Sequence, residues 1–276
     1  MRIDSHQHFW RLQRGDYLWL TPGLETLYRD FLPPELEPML KAAGVERTIL
    51  VQAATTVAET DYLLSLADNH AFIAGVVGWV DMDDPASALH DLRRLRDNTC
   101  LLGVRPMIQD IADPDWMLQG SLTPIFEQLI ASNLRFDALV RPVHLENLRR
   151  LLDRHPQLPC VIDHAAKPDI ASASWQPWAD NMAALAAGSN CYCKLSGLLT
   201  EAGARTDDDA LRPYVEHLLQ CFGAQRIMWG SDWPVLTLAG SYGDWVQQSE
   251  RLLKHLSVRE QEAIFGATAN TFYGLD

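Results

Sequence analysis

At 276 residues the chain is long for one ordinary domain but within the range of a single α/β barrel, so one domain over residues 1–276 is expected. A formal net charge of −13, from 23 Lys and Arg against 36 Asp and Glu with no basic cluster, excludes nucleic acid and an anionic membrane as natural partners. With 47% hydrophobic residues a large core is available, and the longest uncharged apolar run, Phe72 to Val80, is far too short to cross a bilayer.

The first ten residues carry Arg, Asp and two His and no apolar stretch, which argues against a secretory signal. The five cysteines (Cys100, Cys160, Cys191, Cys193 and Cys221) are odd in number and lie mostly in or beside apolar runs. They read as reduced core residues of a cytoplasmic protein.

In chain order, a first strand starts at Arg2 or Ile3 and carries Asp4-Ser5-His6-Gln7-His8. Residues two apart on a strand share a face, so His6 and His8 project together, a pairing that suits a metal ion. Two ordinary histidines near a chain end are the plain alternative. Phe9 to Phe31 has neither helical nor strand period but holds Trp10, Tyr17, Trp19 and Tyr28, which predicts an aromatic loop over the site. An amphipathic segment, Pro34 to Ala43, precedes a strand from Arg47 to Ala54. Then come a helix from Glu59 to Asn69, a strand from Phe72 to Val80, and a helix opened by Asp84-Pro85.

The alternation continues with Leu101 to Arg105 as strand, Thr123 to Ser132 as helix, Phe136 to Arg141 as strand and His144 to His155 as helix. Between the first two of these, Gln109 to Leu122 reads as a long loop able to overhang the site. Cys160 to His164 reads as strand, Trp175 to Ala187 as helix, Cys191 to Ser196 as strand, Ala210 to Phe222 as helix, and Arg226 to Gly230 as the last strand. Two further helices, Trp245 to Leu256 and Val258 to Phe265, close the chain. Eight strands, most followed by a helix, predict a single (β/α)8 barrel with an N-terminal aromatic loop and extra C-terminal helices. An open doubly wound sheet is the rival, disfavoured because no Gly-rich fingerprint follows the first strand.

A barrel brings its strand ends to one mouth. That gathers His6 and His8, Gln52, Trp79, Arg105, Arg141, His164, Lys194 with Ser196, and Asp232 from the eight strands in turn. Three imidazoles and a carboxylate make a ligand set for one divalent ion such as zinc, which would lower the pKa of a bound water while Asp232 relays the proton. Each member has an ordinary reading: a backbone-bonded buried histidine for His164, a turn cap for Asp232, a cross-strand ion pair for Arg105. Lys194, inside Cys-Tyr-Cys-Lys-Leu, is costly to bury without a partner or a substrate anion. His144 reads as a helix cap, and His70, His90, His155, His217 and His255 as surface residues.

These residues carry a resemblance. Asp-Ser-His-Gln-His-Phe-Trp at 4–10, Val51-Gln-Ala-Ala54 with Glu59-Thr60, Gly103-Val-Arg105, Phe136-Asp137, Asp163-His164 with Lys167-Pro168, Lys194-Leu-Ser-Gly197 and Gly230-Ser-Asp-Trp-Pro234 resemble the lactonase branch of the amidohydrolase superfamily. The match runs in order from residue 1 to the Phe-Tyr-Gly near the C-terminus. It implies a (β/α)8 fold and hydrolysis of a lactone ring. It also implies His6, His8, His164 and Asp232 as the metal- or carbonyl-binding set, Asp232 as the acid/base, and Arg105 and Lys194 as substrate contacts; beside these, His164 is expected to be catalytic and Gln52, Trp79 and Trp233 to contact substrate. No Lys or Glu stands where a bridging ligand for a second ion would be expected, so one ion is implied, and some relatives of this branch work with none.

The expected reaction is attack of water, or of metal-bound hydroxide, on the lactone carbonyl of a neutral sugar lactone, giving an aldonic acid. The rivals are hydrolysis of a carboxylated lactone such as a pyrone dicarboxylate, a metal-dependent decarboxylase of the same superfamily, and a barrel that binds a sugar acid without turnover. Ring size, stereochemistry and oligomeric state leave no mark in the sequence.

Overall fold

Eight short apolar strands pair in parallel and in chain order: β1 (Ile3–Gln7), β2 (Arg47–Val51), β3 (Ile73–Gly78), β4 (Leu101–Val104), β5 (Arg135–Ala138), β6 (Cys160–Ile162), β7 (Tyr192–Leu195) and β8 (Ile227–Trp229). The structure, a computed structural model, describes residues 1–275. The sheet closes where the chain from β8 meets β1, through Asp232 N–H to His6 O (2.8 Å) and His8 N–H to Trp233 O (2.7 Å). This is the (β/α)8 barrel that the alternation predicts.

Each strand is followed by a helix: α1 (Pro33–Ala43), α2 (Val57–Asn69), α3 (Pro85–Leu95), α4 (Thr123–Ala131), α5 (Leu145–Arg154), α6 (Trp178–Gly188), α7 (Asp208–Phe222) and α8 (Tyr242–Leu253). Side-chain oxygens of Thr56, Asp84, Asp207 and Ser241 cap α2, α3, α7 and α8 by accepting a first-turn N–H. In α5, Leu145, Leu148, Leu151 and Leu152 form the stripe that turns inward, and its charged residues face out.

The barrel interior is filled by Ile3, Ile49, Val51, Val77, Leu102, Val161 and Met228. Behind α8 come α9 (Val258–Glu262), a π-helical turn (Ala263–Ala267) and α10 (Thr268–Tyr273). The turn lies so close to Met1 that any side chain at Gly266 would strike the Met1 carbonyl. Phe272 and Tyr273 therefore plug the end at which the strands begin. The sequence reading missed α10 and ran one helix to Phe265. It also ran the fifth strand to Arg141, three residues past its end, and started α6 at Trp175, which instead packs on Trp178 at 5.4 Å.

At the opposite end the 9–31 segment folds on itself. Trp10 pairs with Phe31 through two backbone bonds and stacks edge-on against Phe31 and Trp19. Gln109 to Leu122, expected as open loop, contains three short 3-10 turns. All five cysteines are free, with Cys160, Cys191 and Cys193 buried. Among the described residues no helix is long and apolar enough to cross a membrane.

Candidate active site

His6 and His8 leave β1 on one face, as their spacing requires, and their Nε2 atoms stand 3.2 Å apart. His8 Nδ1 donates to the Val51 carbonyl at 2.8 Å, so its Nε2 carries a lone pair. His6 Nδ1 lies between the Asp163 carboxylate at 3.4 Å and the Lys194 ammonium at 3.1 Å, and the Arg105 guanidinium, which can only donate, stands 3.2 Å from its Nε2, so Nε2 presents a lone pair as well. Asp232 Oδ1 is 3.3 Å from His8 Nε2, 3.8 Å from His6 Nε2 and 3.7 Å from His164 Nε2. Ligand atoms of His6, His8 and Asp232 all lie within 4.8 Å of one another. Imidazole and carboxylate donor atoms spaced this closely fit a divalent cation.

The backbone aims these groups at some cost. His164 begins a run of four left-handed residues through Lys167, and Asp232 is left-handed too, at φ 59°. Each such residue costs about 1 kcal/mol or more, and strain of this kind collects at functional sites. Two glycines make room: a Cβ at Gly230 would stand 2.8 Å from His6 Cβ, and one at Gly197 would stand 2.6 Å from His164 Nδ1. His164 Nδ1 is held by Ser196 Oγ at 2.9 Å. Replacing Gly197, at φ 65°, with Ala should therefore displace the His164 ring. The expected cost is about 2 kcal/mol of stability together with loss of activity, read from denaturant midpoints and initial rates.

Burial holds His164 down at about 4 and His6 well below the ordinary histidine value. Both are neutral, and ready to ligate, at pH 7. Burial alone would raise Asp232, but the field of the surrounding histidines, His164 first, outweighs it and holds its pKa below the ordinary carboxylate value, so it stays ionised.

A cavity of about 230 Å³ opens above this floor. His8, His164, Asp232 and Arg105 line its base, Trp19 and Ala53 one flank, and Met107, Leu139 and Val235 supply apolar wall. Gln109, Asp110 and Lys167 complete it. Trp19 is fixed by its indole N–H to Ala53 O at 2.7 Å, so one residue of the aromatic loop faces the cavity as expected. Tyr17 and Trp10 are instead buried in the loop's own cluster.

Four expected substrate contacts lie elsewhere. Lys194 is fully buried beneath His6, with Nζ 2.5 Å from Asp137, 3.0 Å from Asp163 and 3.1 Å from His6 Nδ1. Its partners are internal carboxylates, and it does not line the cavity. Gln52 is also buried, its Nε2 donating to Arg105 O at 2.6 Å while its own carbonyl accepts from the Arg105 guanidinium. It shapes Arg105 and is absent from the cavity wall. Trp233 packs edge-on against Phe9 and Phe31 in the core. Trp79 is half-buried beside Thr60, whose hydroxyl accepts from its backbone N–H. His144 caps as expected, its Nδ1 accepting from Arg141 N–H at 3.0 Å.

The sequence reading quoted Asp137, Asp163 and Glu59 in its motifs but gave them no role; Asp137 and Asp163 hold Lys194 and His6, and Glu59 accepts from both Ala53 and Ala54 N–H. Asp163 had a signal, since it stands next to His164 at a strand end. Met107, Leu139 and Val235 had none, because apolar residues just past a strand look like core.

A closed parallel barrel whose strand ends bring imidazoles and a carboxylate around one cavity defines a hydrolase-type barrel enzyme with a metal-competent centre. The chain belongs to the amidohydrolase family, whose model, described as Amidohydrolase, matches residues 3–275. It is 45% identical over 282 residues to an L-fucono-1,5-lactonase of Burkholderia ambifaria, covering 100% of this chain and 96% of that protein. It is 38% identical over 298 residues to an L-fucono-1,5-lactonase of Burkholderia multivorans, again covering 100% and 96%. A crystal structure of a Burkholderia multivorans amidohydrolase with bound zinc superposes with a TM-score of 0.94 at 38% identity, covering 100% of both chains. A 2,6-dihydroxybenzoate decarboxylase, at 14% identity and a TM-score of 0.69, shares the fold.

Proposed function

We propose that the chain hydrolyses a neutral sugar 1,5-lactone of the L-fucono type to its aldonic acid. The observation that carries this is the convergence of His8, His164 and Asp232 on the floor of one cavity, with the buried His6 3.2 Å from His8 and 3.8 Å from Asp232, which supports a centre for carbonyl hydrolysis. The relatives named as L-fucono-1,5-lactonases support the substrate class. His6, His8 and Asp232, whose ligand atoms lie within 4.8 Å of one another, and His164, 3.7 Å from Asp232, are the proposed ligands of one divalent ion, with zinc favoured by the zinc-bound relative. Bound there, the ion would polarise the carbonyl and acidify a water.

The remaining steps belong to the chain's own groups. Asp232, ionised at neutral pH, accepts a proton from the water that attacks the carbonyl carbon. It returns that proton to the ring oxygen as the carbon–oxygen bond breaks, so the ring leaves as a hydroxyl. The guanidinium of Arg105, 3.2 Å from His6 Nε2, offers positive charge to the developing oxyanion. Trp19 presents a ring face to the sugar, and Asp110 and Gln109 present hydrogen-bonding groups to its hydroxyls. Five free cysteines fit a reducing compartment, and a cytoplasmic location is part of the proposal.

The cavity's charges favour a neutral substrate over a dicarboxylate. Arg105 is already bound by Asp163 at 3.4 Å and by Gln52, and Lys167 stands 3.6 Å from Glu201. A carboxylated ring would have to displace these partners while facing Asp110. Initial rates by pH indicator, across sugar 1,5-lactones and a pyrone dicarboxylate, test this. The carboxylated ring should be poorer in kcat/KM by about 100-fold, or roughly 2.7 kcal/mol. Comparable rates on both would overturn the preference, and no acid release from any lactone would overturn the function.

A further inference from the structure

The two halves of the centre sit on opposite sides of the barrel's closing seam, and that seam is weak. β8 is three residues long, and among the described residues the strand pairing across the seam is one isolated parallel bridge, Gln7 with Trp233 just past β8, rather than a ladder. The 2.8 Å bond from Asp232 N–H to His6 O joins the two catalytic segments directly, and Ser5 Oγ adds a 2.7 Å bond to Trp229 O.

Asp4 spans the same seam with a side chain. It is fully buried and does not line the cavity. Its Oδ1 accepts from His6 N–H at 3.1 Å and from Ser231 N–H at 2.8 Å, the amides of one site residue and of the neighbour of another. Its Oδ2 accepts from the Tyr242 hydroxyl of α8 at 3.1 Å. A single carboxylate oxygen thus fixes the distance between the His6–His8 segment and Asp232, and a phenol fixes the carboxylate.

We infer that Asp4 is a positioning residue: its bonds across the seam set Asp232 against His6 and His8, and Tyr242 holds it in that pose. The inference rests on the proposed function only in taking these side chains as one centre. What Asp4 supplies is acceptor geometry, so an amide serves in its place. Asn keeps an oxygen for the two N–H groups and turns its NH2 to Tyr242 Oη, whereas Ala loses all three bonds.

The test compares Asp4→Ala, Asp4→Asn and Tyr242→Phe with the wild-type chain by steady-state kinetics on a sugar 1,5-lactone and by zinc titration calorimetry without lactone. For Asp4→Ala, kcat should fall about 100-fold and zinc affinity at least about 10-fold, with KM moving less than about threefold because Asp4 does not touch the cavity. Asp4→Asn should stay within about fivefold of wild type in both, and Tyr242→Phe should lose about three- to tenfold in kcat alone. Wild-type behaviour of Asp4→Ala would overturn the inference, and so would an Asp4→Asn as impaired as Asp4→Ala. If Asp4→Ala does not fold, a strongly impaired Asp4→Asn beside an unaffected Tyr242→Phe overturns it, and the expected pattern in those two supports it. Zinc affinities are read with no substrate present. A chain that opened no lactone would therefore sink the proposed function while the zinc comparison still judged Asp4.

Discussion

Asp232→Asn is expected to lower kcat on a sugar 1,5-lactone by about 1000-fold or more while leaving the melting temperature within a few degrees. The amide has the carboxylate's shape but does not take a proton from water at neutral pH, so both proton transfers fail together. The bonds that place this residue, Asp232 N–H to His6 O at 2.8 Å and Leu236 N–H to Asp232 O at 2.9 Å, are made by its backbone. Circular dichroism and thermal melts beside initial rates check the result. Residual activity above about a tenth of wild type would remove Asp232 from the proton-transfer role.

Lys194→Met should act in the opposite way, as a large loss of stability that carries activity with it. The ammonium lies between Asp137 and Asp163, and Tyr273 donates its hydroxyl to Asp137 at 2.8 Å. Burial alone would raise Asp163, but Lys194 and then His6 hold it well below the carboxylate value of 3.8. Without Lys194 two buried carboxylates face each other, and breaking such a pair costs about 3–5 kcal/mol. The double variant Lys194→Met with Asp137→Asn removes one of the stranded charges and should recover part of the loss. Urea denaturation of the single and double variants measures both, and a single variant within about 1 kcal/mol of wild type would mean the cluster is not held by charge.

The same cluster predicts a pH dependence. A carboxylate depressed in the folded state contributes stability that is complete above 3.8 and is lost as pH falls through its lower folded value. Acid should therefore destabilise the wild-type chain in that range. Denaturant midpoints between about pH 2 and 5 give the slope.

The barrel was legible because each buried strand is a short apolar run and each outer helix an amphipathic one, so period alone separates them. Asp84-Pro85 placed the start of α3 to the residue. The end of the chain was not legible, since the π turn at Ala263–Ala267 answers to the approach of Met1 on Gly266, a contact between distant segments. In the site, His6, His8, His164 and Asp232 were legible because a polar group at the end of an apolar strand must face either the mouth or a partner. Lys194 and Gln52 obey the same rule by the second route, and no pattern along the chain tells depth within a barrel. Trp233 and Trp79 fail for a related reason, because an aromatic beside a strand end packs sideways as readily as it faces a ligand.

The most direct measurement is a crystal structure of the wild-type chain with a sugar 1,5-lactam, the hydrolysis-resistant analogue of the lactone. The account predicts the lactam carbonyl carbon at the cavity floor, about 3–3.5 Å from where a water bonded to Asp232 would sit, with Trp19 against the ring. A lactam bound with its carbonyl turned away from Asp232 and the three imidazoles would contradict it.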